Sequence, residues 1–171
     1  VSYSWNSDIV PCFYTKPDIF GNTYYLIPKR NGGWKKTDPR LDRDRLSAVN
    51  QNQAGNVLNV IRILKYWKQE KRVNIGSYLL EAMVLYYYES KSNNTCSKYV
   101  DLELENVFNY LANSILNTVA DPKKIQNNIN DFDYYDRDSL SEKFKKFAQL
   151  SNEARQLEID QKIERSINKW K

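Results

Sequence analysis

The stretch GSYLLEAMVLYYYE, residues 76–89, decides the fold. Wound as a helix, it carries apolar and aromatic side chains on nearly every side, so other elements must cover it all round. We therefore expect it to lie at the centre of a helical bundle. Glu81 is the exception, because a carboxylate buried in this apolar stretch needs a partner. Arg62 or Lys65, from the preceding predicted helix, is the expected partner of Glu81.

The sequence on both sides of this stretch is also mainly helical. Apolar residues recur at helical spacing from Asp42 to about Arg72, and Gly55 is expected to divide this region into two helices. An amphipathic helix is predicted from Asp101 to Ala120, followed by an irregular connection from Asp121 to Asp138. The last long helix is predicted to begin with Ser139-Leu-Ser-Glu142, which has the form of a capping box.

Residues 1–41 have a pattern typical of short strands. Apolar and polar side chains alternate over residues 1–8, and Phe13-Tyr14 and residues 24–27 are further strand candidates, whereas residues 29–41 are predicted to form a basic loop. The fold class is therefore α+β and mainly α, with residues 1–41 forming strands and a loop and residues 42–171 forming a helical bundle. So small a sheet seldom stands alone, and we expect it to complete a sheet whose other strands are missing from this chain or supplied elsewhere.

Composition excludes several kinds of chemistry. The 171 residues include no histidine, which excludes Ser-His-Asp and Cys-His nucleophile systems, and Cys12 and Cys96 are too few for a thiolate zinc cluster. Catalysis would have to rest on carboxylates, Lys, Arg, hydroxyls and a hard metal such as magnesium. No apolar run reaches the roughly 20 residues of a membrane span. We expect a cytoplasmic protein that does not contact a membrane.

The positive charge is concentrated in one quarter of the chain. Lys29 to Arg72 contains 12 Lys and Arg against 4 Asp and Glu, whereas the rest contains 14 against 17. A focused basic surface attracts the phosphates of nucleotides or nucleic acid. The alternative is a solvated basic face without a ligand.

Five residues are candidates for a phosphate-handling site, each with a structural alternative. Asp8 ends the first predicted strand, where it could hold a cation beside a phosphate or simply face water. Arg62 and Lys65 share one helix face, suited to a triphosphate or to reaching solvent beside an apolar stripe. Ser77 and Tyr78 begin the apolar helix, where they could bind phosphate and stack on a base, or could be a cap and a core aromatic.

Taken in order, these features closely resemble the second half of the oligoadenylate synthetase and cyclic GMP–AMP synthase group of nucleotidyltransferases. Within that group the resemblance is to the bacterial members that make cyclic di- and trinucleotide signals, and it covers essentially all 171 residues. The segments that carry it are Ser7-Asp8-Ile-Val-Pro-Cys-Phe13, Gly33-Trp34, Thr37-Asp38-Pro39, Ile61-Arg-Ile-Leu-Lys65-Tyr-Trp67, Ser77-Tyr-Leu-Leu-Glu81 and Val119-Ala-Asp121-Pro122. The Lys-x-Trp and Ser-Tyr-x-x-Glu pair is the most specific part.

The resemblance implies a role for each candidate residue. It implies that Asp8 is the third of three acids that hold two Mg²⁺ (or Mn²⁺) ions in a nucleotidyltransferase palm. Lys65 and Ser77 would contact the triphosphate of the donor nucleotide, and Tyr78 would stack on its base. Arg62 aligns with a further basic residue of the oligoadenylate branch. The implied reaction is in-line attack of a ribose hydroxyl on an α-phosphate.

The chain also departs from the family pattern. The family's palm Gly-Ser motif and Asp-x-Asp pair, which precede the third acid, are absent, and Asp42-Arg-Asp44 lies on the wrong side of Asp8. We therefore expect the C-terminal part of a nucleotidyltransferase, inactive alone, whose partners are nucleoside triphosphates and the first half of the palm. The whole protein would make a cyclic oligonucleotide messenger in antiviral defence. Two alternatives stay open: a nucleotidyltransferase acting on RNA or tRNA, and a non-enzymatic helical module that binds nucleic acid through residues 29–72.

Overall fold

The computed structural model describes residues 10–29 and 31–170. Within these ranges the elements are strands β1 (Phe13–Tyr14), β2 (Tyr25–Pro28) and β3 (Trp34–Thr37), and helices α1 (Pro39–Asn52), α2 (Val57–Glu70), α3 (Ser77–Glu89), α4 (Asp101–Ser114), α5 (Tyr134–Ile159) and α6 (Ile163–Trp170). A mainly helical fold with a small antiparallel sheet confirms the predicted class. The strand predicted over residues 1–8, which includes Asp8, lies outside the described residues.

Helix α3 is the central element, as its sequence predicts. Eight of its thirteen residues are buried, and α1, α2 and α4 pack against it. The buried residues are Leu79, Leu80, Ala82, Met83, Val84, Leu85, Tyr87 and Tyr88. An aromatic cluster extends this core, because the Trp67 ring of α2 lies 4.9 Å from Phe108 of α4, and 5.8 and 5.0 Å from Phe144 and Phe147 of α5, centroid to centroid.

The predicted break at Gly55 is present between α1 and α2. Gly55 has a φ of +80°, which glycine adopts without steric cost, and its N–H donates to the carbonyl oxygen of Asn50 at 2.7 Å. Helix α1 begins at Pro39, earlier than Asp42, because the Asp38 carboxylate accepts from the Arg40 N–H at 3.1 Å and proline suits the first helical position.

The prediction of a loop over residues 29–41 is wrong, because this region contains β3. Strand β3 pairs antiparallel with β2, placing Lys36 opposite Leu26 and Lys35 opposite Ile27. Gly32 and Gly33 adopt φ values of +84° and +77°, which permits a tight turn between the strands. The two lysines concealed the strand because they give it no apolar alternation.

Arg40 connects the sheet to the helices. Its guanidinium donates to the carbonyl oxygen of Thr23 at 2.9 Å and to the Tyr14 hydroxyl at 3.1 Å. The same group pairs with the Asp38 carboxylate at 2.7 Å. One side chain at the start of α1 therefore reaches the loop before β2, strand β1 and the cap of its own helix.

The boundaries of the later helices differ from the sequence prediction. Helix α4 ends at Ser114 rather than Ala120, and α5 begins at Tyr134 rather than Ser139. The Asp133 carboxylate caps α5 by accepting from the Asp136 N–H at 2.8 Å, so the predicted capping box is wrong. Ser141 of that box is buried instead, and its hydroxyl donates to the carbonyl oxygen of Ala112 at 2.8 Å.

Gln53 joins the end of α1 to the segment after α3. Its side-chain amide is buried and donates to the carbonyl oxygens of Tyr88 at 3.3 Å and Ser92 at 2.9 Å. Its carbonyl oxygen accepts from the N–H groups of Thr95 at 2.9 Å and Cys96 at 3.0 Å. This one side chain therefore bonds to four backbone groups of residues 88–96.

We expect Gln53→Leu to lower the free energy of unfolding by about 2–3 kcal/mol, because a buried donor or acceptor left without a partner costs about 1–3 kcal/mol. Urea denaturation followed by circular dichroism measures the change. Gln149→Leu on the exposed side of α5 is the matched control, with an expected change below about 0.5 kcal/mol. Equal effects of the two substitutions would show that the buried amide contributes nothing specific.

Candidate functional site

The end of α2 and the start of α3 lie side by side, joined by the short connection 71–76. Lys68 of α2 fixes this arrangement, since its ammonium donates to the carbonyl oxygen of Ile75 at 2.6 Å and to the Ser77 hydroxyl oxygen at 3.1 Å. Lys68 was not among the predicted site residues. Its spacing of three from Lys65, which places both on one helix face, is the signal that could have found it.

Lys65 is the partner of Glu81. The two side chains form a hydrogen-bonded ion pair between α2 and α3, with 41% of the lysine and 19% of the glutamate side chain exposed. Arg62, the other expected partner, instead donates to the side-chain oxygen of Asn59 on its own helix at 3.3 Å. The carboxylate in the middle of α3 is therefore compensated, and so is the charge of Lys65.

Tyr78 is held by two other parts of the chain. Its hydroxyl donates to the Asp121 carboxylate at 2.9 Å, and the Lys123 ammonium lies 3.7 Å from the centroid of its ring. Lys123 is itself paired with the Asp42 carboxylate of α1 at 3.0 Å, and only 10% of its side chain is exposed. Burial, together with the negative charges of Asp121 and Asp42, raises the pKa of Tyr78 above its ordinary value.

Asp121 organises the loop that supports Tyr78. Besides the Tyr78 hydroxyl, its carboxylate accepts from the N–H groups of Lys123 at 3.1 Å and of Ile125 and Gln126, both at 3.2 Å. An aspartate that accepts from the next backbone groups is a common start of a turn. The Asp121-Pro122 pair indicates this turn in the sequence, but no local pattern indicates the contact of Asp121 with Tyr78.

Of the predicted site residues, Lys65 contacts Glu81 across α2 and α3, Ser77 and Tyr78 are the first two residues of α3, and Arg62 lies one turn before Lys65 on α2. Asp8 lies outside the described residues. Within residues 10–29 and 31–170, no three carboxylate or thiol side chains gather closely enough to hold a metal ion.

An apolar groove lies apart from this junction. The groove, on the opposite side of α2, is lined by Tyr66, Phe108, Phe147 and Trp170, and it includes none of the predicted site residues. None of the helices in the described ranges is long and apolar enough to cross a membrane.

Together, the fold and this junction define a helical unit that presents ammonium, hydroxyl and phenol groups at the start of a buried helix, a set suited to a phosphorylated aromatic ligand.

No known protein-family profile matches the chain. Over 140 residues the chain is 44% identical to a protein of Bacillus cereus named "Probable cyclic nucleotide synthase". The match covers 82% of this chain and 41% of that protein, so the chain spans about two fifths of the relative's length. This similarity supports the resemblance to nucleotidyltransferase-like proteins.

Tyr78 gives a testable pH dependence. Because the fold raises its pKa above the ordinary value of 10.0, the folded state keeps a proton that the unfolded chain releases. The stability that this retained proton gives the folded state is complete below pH 10, and it is lost as the pH rises toward the folded-state pKa. Between pH 10 and 11.5 we expect the unfolding free energy of Tyr78→Phe to fall by about 1 kcal/mol less than that of the wild type.

Urea denaturation at a series of pH values measures this difference. The control is Tyr134→Phe, since Tyr134 is 75% exposed and should leave the wild-type decline unchanged. The same decline in Tyr78→Phe and the wild type would contradict the assignment of a protonated, hydrogen-bonded phenol.

Proposed function

We propose that this chain is the C-terminal, nucleotide-binding part of a nucleotidyltransferase that makes a cyclic oligonucleotide messenger. The observation that carries the proposal is that Lys65 of α2 pairs with Glu81 of α3, the helix whose first two residues are Ser77 and Tyr78. The similarity to the Bacillus cereus relative supports the same class of activity. The activity, substrates and partners of the whole protein are part of the proposal, because the chain covers 41% of that relative.

Each residue at the junction has a distinct task in this proposal. The Lys65 ammonium and the Ser77 hydroxyl contact triphosphate oxygens, and Arg62 extends the positive surface along α2. Tyr78 stacks on the base with the ring face turned away from Lys123, since that ammonium occupies the other face. Glu81 holds Lys65 while no nucleotide is bound. Because a phosphate must compete with this carboxylate, binding is selective for ligands of high negative charge.

The chemical step belongs to the whole protein. In the proposal, Asp8 and two acids from a preceding palm segment hold Mg²⁺ (or Mn²⁺), the ion that supplies electrophilic activation when bound. Without that segment the chain binds nucleotide but synthesises nothing. The proposal includes a cytoplasmic location, which the two widely separated cysteines favour, and a role in antiviral defence, which rests on the family resemblance.

The distribution of charge favours a nucleotide over a long nucleic acid. Among the described residues between 29 and 72, several basic side chains pair with carboxylates, including Arg40 with Asp38, Arg43 with Asp44, Arg45 with Glu89, and Lys65 with Glu81. These pairs divide the basic region into short segments. A duplex requires a continuous row of available cations, whereas one triphosphate requires only a few at one place.

Titration with ATP tests the nucleotide assignment directly. We expect Lys65→Ala to weaken ATP binding to the 171-residue chain by about tenfold, the usual value of one charge-assisted hydrogen bond. Isothermal titration calorimetry measures the affinity. Lys143→Ala, at an exposed position of α5, is the control and should bind as the wild type does.

Two other results would reject the proposal in different ways. Unchanged ATP affinity in Lys65→Ala would remove Lys65 from the triphosphate site. Binding of duplex RNA or DNA with a steep salt dependence, and none of ATP, would support the non-enzymatic nucleic-acid module.

The catalytic part of the proposal can be tested by exchange. Replacing the matched segment of the Bacillus cereus relative with this full chain should give a chimera that converts labelled nucleoside triphosphates into a small, phosphatase-resistant product. We expect Asp8→Ala in the chimera to abolish synthesis and to leave ATP binding within about twofold, because Asp8 is assigned to chemistry and not to the α2–α3 junction. Elongated RNA as the product would support the RNA-directed alternative, and full activity of Asp8→Ala would remove Asp8 from the site.

A further inference from the structure

Lys68 carries a charge that no carboxylate compensates within the described part of the chain. Its two hydrogen-bond acceptors are neutral, the carbonyl oxygen of Ile75 at 2.6 Å and the hydroxyl oxygen of Ser77 at 3.1 Å. Lys65, one turn earlier on the same helix face, differs in being paired with Glu81. Of these two ammonium groups of α2, Lys68 is therefore the one that contributes net positive charge.

We infer that Lys68 binds phosphate oxygens of the nucleotide together with Ser77, as a second cation beside Lys65. The inference rests on the proposed function and extends it to a residue that neither the sequence motifs nor the family resemblance assigned.

The hydrogen bonds at Ser77 leave room for an anion. An ammonium has three N–H donors, and Lys68 uses two of them. Ser77 accepts from Lys68, so its own hydroxyl proton remains available to donate. A phosphate oxygen that accepts this proton lies within hydrogen-bond reach of the third N–H of Lys68. Ser77 is exposed, so a ligand can approach both groups from solvent.

The pairing of Lys65 determines how the two lysines share the ligand. A phosphate draws Lys65 only by competing with Glu81, whereas Lys68 has no such competitor among the described residues. Removing the charge of Glu81 should therefore strengthen phosphate binding, and removing Lys68 should weaken it. The two substitutions act in opposite directions on the same ligand.

The experiment titrates the 171-residue chain with inorganic tripolyphosphate and with ATP, at several salt concentrations. We expect Lys68→Met to weaken both ligands by about tenfold and to reduce the salt dependence of binding. Lys68→Arg should retain most of the affinity, because it keeps the charge. Glu81→Gln should bind both ligands several-fold more tightly, and Lys143→Met is the matched control.

The outcomes separate this inference from the proposed function. Wild-type affinity in Lys68→Met, with weakened binding in Lys65→Met, would overturn the role of Lys68 and leave the nucleotide site standing. No binding of ATP or tripolyphosphate by the wild type would overturn both. Because Lys68 also ties α2 to Ile75, thermal unfolding is measured in parallel. If Lys68→Met and Lys68→Arg lose affinity equally, with an unchanged salt dependence, Lys68 acts only through structure and the inference is wrong.

Discussion

The burial of α3 is the constraint on which the rest of the structure depends. A helix covered on nearly all sides must find a partner for every polar group that it carries, because an unpaired buried donor or charge is costly. The partners come from α1, α2, α4 and the loop after α4, and together they determine how the bundle is assembled. The pairs are Ser77 with Lys68 and Glu81 with Lys65 of α2, Tyr78 with Asp121, Tyr86 with the carbonyl oxygen of Ala120, Tyr88 with Glu103 of α4, and Glu89 with Arg45 of α1.

The same constraint explains why the candidate site lies at one end of this helix. The middle of α3 is closed by packing, whereas near its start Ser77 is exposed and Tyr78 and Glu81 are half-buried. There Lys68 hydrogen-bonds to Ser77, and Lys65 pairs with Glu81. The same contacts that stabilise the fold place cations beside a hydroxyl. Structural pairing and phosphate recognition therefore use one set of residues, which is why variants at this junction need a stability measurement beside every affinity measurement.

Local patterns predicted what depends on neighbours in sequence. The all-round apolar stretch predicted α3, Gly55 predicted the break after α1, and the isolated Glu81 predicted a cationic partner from α2. Strand β3 was missed because Lys35 and Lys36 give it no apolar alternation, and the start of α5 was misplaced because the Asp133 cap prevailed over the Ser139 box. The contacts of Tyr78 with Asp121 and Lys123 join residues more than 40 positions apart, and no spacing rule encodes such pairs. The role of Asp8 stays a prediction, since it lies outside the described residues.

The first turn of α1 connects the small sheet with Tyr78. The Arg40 guanidinium donates to Tyr14 of β1 and to Thr23 in the loop before β2. Two residues later, the Asp42 carboxylate pairs with the Lys123 ammonium, which lies over the Tyr78 ring. The contacts of the sheet and the ion pair that holds Lys123 over Tyr78 therefore both depend on the position of this one turn. A partner that binds the strands is therefore connected to the ring of Tyr78 through the three residues Arg40 to Asp42 and through Lys123.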